Sequence, residues 1–320
     1  MKDSRSTVQT PQTLGNGRFV YQRHLRNGGM ASVHLYWDST QGESVAVKVF
    51  DLLADGAYGN AQRFLAEAEA LQGLSHPHVI PVYATGTSSS TGFHWYAMKY
   101  APHGTLRDAA RGARAVHPIQ VARWIFETLL ALDAIHRHGL VHRDIKPSNL
   151  LLGEDGRVMV ADFGLARHPT SAVNFRTIPG ASMGSFGYSA PELSQDAREA
   201  DVRADLYSTA VTLYQLMSGN RPEMLLQRRD NAQVMKAIPR EFREFVEVGA
   251  APRRQRRWDS AEEMARTLVE AATGFAHRIR YRDDDPGEWW AEWPGPGSWP
   301  NQVLRALWRW VGEIGQPSVQ

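Results

Sequence analysis

The apolar residues of this chain keep strand spacing over its first third, with one helical interruption, and helical spacing over the rest. That order limits the folds open to it. Over 19–50, Val33, Leu35 and Trp37 share one face of a strand pattern, and Val45, Val47 and Val49 share another. The turn Thr40-Gln41-Gly42-Glu43 separates the second and third strands. Residues 60–74 switch to helical period, with Phe64, Leu71 and Leu74 in a stripe. Glu67 lies on that same inward face, whereas Glu69 is turned away by about 200° and should face solvent. A carboxylate on a buried stripe needs a partner. Two further strands, near 79–85 and 93–99, would complete a small sheet. From Ala101 onward the pattern is mostly helical. Val121, Trp124, Ile125, Thr128, Leu129, Leu132 and Ile135 mark a long amphipathic helix from Pro118 to Gly139. Short strands flank Asn149 and Asp162, and helices follow near 200–218, 239–249 and 260–273. The expected fold class is α+β, a small β-rich N-terminal lobe before a larger helical C-terminal lobe.

Composition narrows the function classes. At 320 residues the chain is long enough for one large domain or for two lobes around a shared cleft. A net charge of +2 makes no electrostatic case for nucleic acid or an acidic membrane surface. The absence of cysteine removes disulfides and thiolate metal sites, and it fits a reducing cytosol. No signal pattern opens the chain, and no run approaches the roughly 18 apolar residues that span a bilayer. A cytoplasmic location is expected. Residues 1–17 are polar and read as a flexible leader.

The stretch His142-Arg143-Asp144-Ile145-Lys146-Pro147-Ser148-Asn149 places a carboxylate, an ammonium and an amide within eight residues. Asp162-Phe163-Gly164 follows eighteen residues after Asp144. Two acids at that spacing, with a lysine and an asparagine between them, suit the positioning of a hydroxyl nucleophile against a magnesium-bound triphosphate. The run H-R-D-x-K-x-x-N followed by D-F-G resembles the protein kinases, and Gly28-Gly29-Met30 with the Ser260-Ala261-Glu262-Glu263-Met264 helix start resembles the bacterial serine/threonine kinases of the Hanks type. The resemblance covers about 18–275. It implies a two-lobed kinase-like fold, with an N-lobe over about 18–99 and a C-lobe over about 102–275. It also implies ATP with Mg2+, or Mn2+ in its place.

The resemblance assigns roles. Asp144 would accept or orient the substrate hydroxyl proton, Lys146 would offset charge on the transferred phosphate, and Asn149 and Asp162 would bind the metal. Lys48, in Val45-Ala46-Val47-Lys48, would hold the α- and β-phosphates and pair with Glu67. Val33, Ala46 and Leu151 match the apolar residues around the purine. Met98 matches the gatekeeper, and Lys99, Tyr100 and Ala101 match the hinge. The glycine-rich pattern falls on Arg26-Asn27-Gly28-Gly29-Met30-Ala31-Ser32-Val33. Only its central glycine, Gly28, is kept, with Arg26 at the first glycine position and Ala31 at the third.

Lys146-Pro147 resembles the Ser/Thr branch of the family, which implies protein substrates carrying serine or threonine. The segment 184–192, Gly-Ser-Phe-Gly-Tyr-Ser-Ala-Pro-Glu, resembles the one that closes the activation segment and shapes the peptide platform. Glu192 there would need a buried cation, for which Arg257 is the matched partner, and Asp205 would brace the catalytic loop. Arg63, Arg143 and Arg167 match positions that converge on a phosphorylated activation-loop residue. Thr177 and Ser182 are the leading acceptors, and a homodimer is one route to autophosphorylation. The alternative is a catalytically weak pseudokinase, a nucleotide-binding interaction module. It rests on Arg26, Ala31 and the short polar region 219–238.

Residues 276–320 lie outside the resemblance. Trp289, Trp290, Trp293, Trp299, Trp308 and Trp310 crowd there among Gly and Pro. Asn301 could cap a helix through about Gly312. Docking on the C-lobe competes with a partner or membrane-surface contact through 301–314.

Overall fold

The computed structural model describes residues 10–27, 31–50, 68–69, 71–88, 91–112, 115–162, 187–194, 201–227 and 232–280. The chain divides into two compact units that meet in sequence at Pro102 and His103.

The first unit is built on six strands: β1 (Thr13–Leu14), β2 (Phe19–Asn27), β3 (Ala31–Asp38), β4 (Glu43–Phe50), β5 (Val82–Thr87) and β6 (His94–Lys99). They form one antiparallel sheet in the order β1-β2-β3-β4-β6-β5. Val33 pairs with Lys48, Leu35 with Ala46, and Ala46 with Met98. Directly opposed residues share a face, so Val33, Leu35, Ala46, Lys48 and Met98 lie on one side of the sheet. The other side carries the core of this unit, in which Tyr36, Val45, Val47, Val49, Trp95 and Ala97 pack with Leu14, Phe19 and Phe93.

Two details depart from the sequence pattern. On β3 the core face carries His34, Tyr36 and Asp38, while Trp37 is 42% exposed. The polar ends of the buried residues are satisfied from the chain start. Tyr36 donates its hydroxyl to Pro11 O at 2.7 Å, and Arg18 forks onto the Asp38 carboxylate at 2.9 and 2.7 Å. For the same reason residues 10–17, expected to belong to a flexible leader, are structured: β1 pairs with β2, and Leu14 is 3% exposed. One apolar residue among polar ones is too weak a signal to reveal this from sequence. Residues 1–9 lie outside the described residues.

Residues 68–69 and 71–72 are helical, with Ala68, Leu71 and Leu74 buried and Glu69 exposed. Phe64 and Glu67 lie outside the described residues.

The second unit holds helices α1 (Leu106–Ala109), α2 (Pro118–Arg137), α3 (Arg203–Ser218), α4 (Gln233–Lys236), α5 (Arg243–Gly249) and α6 (Ala261–Arg280), and the hairpin β7 (Leu150–Leu152) with β8 (Val158–Val160). Pro118 opens α2 behind a His117 side-chain cap on Ile119 N, and Gly139 with φ +72° turns the chain beyond its end. The apolar stripe of α2 packs on α3, α6 and β8. Nearly every residue of α3 is buried, as expected of a helix surrounded by others. Its Ser208, Thr209 and Thr212 hydroxyls donate to carbonyls one turn back. Helix α6 runs past the expected end at 273. Arg278 pairs with Glu241 at 2.6 Å and Phe275 packs on Phe242, so tertiary contacts carry the helix through Gly274. The described residues of 219–238 hold a short 3-10 turn, Pro222–Gln227, and α4, with Pro222, Leu225, Val234, Met235 and Ile238 buried. Among the described residues no helix is long and apolar enough to cross a membrane.

Candidate active site

The octapeptide begins just after α2 and ends in a 3-10 turn, Pro147–Asn149, that leads into β7. Residues 141–145 have no regular ladder to satisfy their backbone, so other groups must do so. Asp205, in the first turn of α3, supplies two acceptors. Its Oδ2 accepts from His142 N at 2.8 Å, and its Oδ1 accepts from Arg143 N at 2.6 Å. His136 Nε2 lies 2.9 Å from the same Oδ2. Burial alone would raise the Asp205 carboxyl. The His136 hydrogen bond and charge and the Arg143 amide outweigh it and hold the group below its ordinary value.

His142 ties the loop to the strand that precedes Asp162. Asp144 N donates to His142 Nδ1 at 3.2 Å, and His142 Nε2 lies 3.0 Å from Ala161 O. Nδ1 accepts and Nε2 donates, which requires the neutral ring. Burial lowers the His142 pKa in agreement.

Asp144, Lys146 and Asn149 converge. Lys146 Nζ sits 2.6 Å from Asp144 Oδ2. Asn149 Nδ2 donates to the same oxygen at 3.0 Å and to Asp144 O at 2.8 Å. One oxygen of Asp144 is thereby held, and Oδ1 has no hydrogen bond among the described residues. Asn149 spends its amide hydrogens on Asp144, and its Oδ1 accepts from Ser148 Oγ at 3.3 Å. Asp162 follows β8 with φ +59°, a left-handed conformation rarely taken by non-glycine residues. Amide and carboxylate oxygens suit a hard divalent cation, so Asn149 and Asp162 fit one. Leu151 lies on β7, half-buried.

The hairpin that carries these residues is pinned by Glu127 of α2. Its Oε2 accepts from Val158 N at 2.8 Å, and its Oε1 accepts from Arg123 Nε at 2.9 Å. Neither Glu127 nor His136 figures in the sequence reading. Glu127 had a signal, a carboxylate inside the apolar stripe of α2; His136 had none without its partner 69 residues away.

Arg143 has φ +67°, and its buried Nε and Nη1 have no hydrogen-bond partner among the described residues. Arg257 forks onto Glu192 at 2.6 and 2.9 Å and also donates to Ala251 O at 2.8 Å. In the sheet unit, Val33, Ala46, Lys48 and Met98 share the face opposite the core, and Lys48 Nζ lies 5.5 Å from the Tyr96 ring centre. Arg26 is exposed opposite Val33 on β2, and Lys99 is exposed at the end of β6 with Ala101 half-buried beyond it. Gly28, Arg63, Glu67, Arg167, Thr177, Ser182 and Ser185 lie outside the described residues, as do the tail tryptophans and 301–314.

The chain is similar to known proteins. The family model described as protein kinase domain matches residues 19–281. A probable serine/threonine-protein kinase of Streptomyces coelicolor is 36% identical over 219 residues, covering 67% of this chain and 32% of the relative. The serine/threonine-protein kinase PknL of Mycobacterium tuberculosis is 32% identical over 275 residues, 82% of this chain and 68% of the relative. The chain thus spans about a third of the length of several curated relatives and two thirds of others. Among solved structures, the Mycobacterium tuberculosis PknI kinase domain superposes with a TM-score of 0.63 at 26% identity, over 82% of this chain and 99% of that one. The chain has the protein kinase fold and belongs to the protein kinase domain family.

Proposed function

We propose that this chain transfers the γ-phosphoryl group of ATP to serine and threonine hydroxyls of proteins. The observation that carries this is the Asp144 carboxylate, with Oδ2 held by Lys146 and Asn149 and Oδ1 without a hydrogen bond among the described residues. A substrate hydroxyl at Oδ1 gives its proton to Asp144 as its oxygen bonds to the γ-phosphorus and the bond to the bridging oxygen breaks, releasing ADP. Lys146, anchored on the other oxygen, offsets charge on the transferred group. Asn149 Oδ1 and the Asp162 carboxylate would hold Mg2+, or Mn2+ in its place, which supplies positive charge for the phosphate oxygens. In the sheet unit, Lys48 would hold the α- and β-phosphates with Glu67 as its partner. Val33, Ala46 and Met98 would face the purine, and the backbone of Lys99 and Ala101 would bond its edge; the resemblance also matches Leu151 of the helical unit to the purine. The relatives are named serine/threonine-protein kinases, which supports the choice of acceptor. We assign the activity to the cytoplasm, where ATP is available.

The buried guanidinium of Arg143, whose Nε and Nη1 have no hydrogen-bond partner among the described residues, supports a phosphate-dependent control of this site. It would take a phosphate on Thr177 or Ser182, added by the chain itself, and the resemblance matches Arg63 and Arg167 to the same role.

Radiolabel transfer from ATP to a protein substrate tests the activity. Asp144→Asn should lose at least about a hundredfold in rate and keep the thermal shift with ATP and Mg2+. A wild-type thermal shift without any transfer would instead favour a nucleotide-binding module. Mass spectrometry after ATP incubation should find phosphate between 170 and 185 on wild type and none on Asp144→Asn.

A further inference from the structure

The sheet unit pairs two histidines that phosphoryl transfer does not use. His24 of β2 lies directly opposite His34 of β3, and their Nδ1 atoms are 3.4 Å apart. Simple alternation would place Tyr21 and His24, three residues apart, on opposite faces of β2. An irregularity between Tyr21 and Arg23 absorbs one residue, so both Tyr21 and His24 pair with residues of the core face, Tyr36 and His34. A second irregularity, between His24 and Arg26, returns the strand to register.

The spacing is informative. N–H···O hydrogen bonds are most often about 2.9–3.0 Å long, and the 3.4 Å between these two nitrogens is longer than that range. Two imidazole nitrogens bound to one tetrahedral Zn2+ at about 2.0–2.1 Å lie about 3.3–3.4 Å apart. The tautomer is also prepared. His34 Nε2 lies 2.7 Å from Ser32 Oγ, so Nε2–H can donate to Ser32 while the Nδ1 lone pair faces His24. A second hydrogen-bonding group on the far ring nitrogen is the usual support of a metal-binding histidine. His34 is 4% exposed and held in place, whereas His24 is exposed and open to an ion from solvent.

We propose that His24 and His34 form a two-histidine site for a borderline-soft divalent cation such as Zn2+, with water completing the coordination. The ion would tie β2 to β3 on either side of residues 28–30, the segment that resembles the phosphate loop. Mg2+ prefers oxygen ligands and would not compete. The site shares no residue with Asn149 and Asp162, so it stands or falls apart from the catalytic metal.

The test is calorimetric titration of the full chain with Zn2+ in excess Mg2+, a measurement that does not depend on phosphoryl transfer. Wild type should bind Zn2+, and His24→Ala should weaken binding by at least about tenfold. Ser32→Ala should weaken it by a smaller factor, and His138→Ala, an exposed histidine of the helical unit, should leave it unchanged. Thermal melting checks that each variant folds, with His24→Phe in reserve if alanine does not. Equal affinity in wild type and the His24 variants, or no Zn2+ uptake by wild type at millimolar metal, would overturn the site.

Discussion

The buried Asp205 carboxylate accepts the backbone N–H of Arg143 at 2.6 Å and holds Arg143 at φ +67°. A left-handed non-glycine residue costs on the order of 1–3 kcal/mol and persists only where its surroundings enforce it. Asp205 provides that enforcement next to Asp144. Asp205→Ala strands two backbone donors and His136, and it should cost about 3–5 kcal/mol in chemical denaturation. It should also lower kcat/KM by about a hundredfold as Asp144 shifts. Arg143→Gly removes both the strained φ and the unpartnered guanidinium. Its melting temperature, measured without phosphorylation, should be no lower than that of wild type.

Arg257 and Glu192 form a buried fork with extra bonds to backbone carbonyls. Lysine cannot reproduce that planar set of donors. Arg257→Lys should destabilise by about 3–5 kcal/mol in urea unfolding, because it leaves buried acceptors unpaired. A cost below about 1 kcal/mol would mean the fork does not hold the segment in solution.

Glu127 pins the hairpin through Val158 N. Glu127→Ala should cost about 1–3 kcal/mol and accelerate hydrogen exchange at the Val158 amide more than at amides within α2. Uniform acceleration would point to global destabilisation instead.

Stability should fall in mild acid. Burial lowers the pKa of His117 to about 4, and burial with the nearby His24 lowers His34 to about 4; burial also lowers His142. Unfolded histidine titrates near pH ~6.5, so between the two values the unfolded chain binds more protons. The stabilisation is complete above about pH 6.5 and is lost as pH falls toward the folded value, by at most about 1.4 kcal/mol per pH unit for each group. His117→Asn keeps an acceptor for Ile119 N and removes one titration. Melting curves at pH 7.5 and at pH 5 should lie closer together for this variant than for wild type.

The order of strand and helix, the bounds of α2 and the identity of the fold were legible in the sequence, because apolar period and chain punctuation are local. The departures came from distant pairing. β1 needs Phe19 and Tyr36 to give Leu14 something to pack on. The last turns of α6 depend on Arg278 meeting Glu241.

The octapeptide by itself determined which groups could do chemistry, since carboxylate, ammonium and amide at that spacing have few other uses. Which oxygen of Asp144 is held and which is open was decided only when Lys146 and Asn149 folded back onto it. The same holds for His24 and His34. They are two unremarked letters in the sequence, and an extra residue in β2 turns them toward each other. Composition and period record what each residue is and which face it favours. The direction of a side chain and the partner it meets depend on register and on long-range burial, which no local pattern encodes.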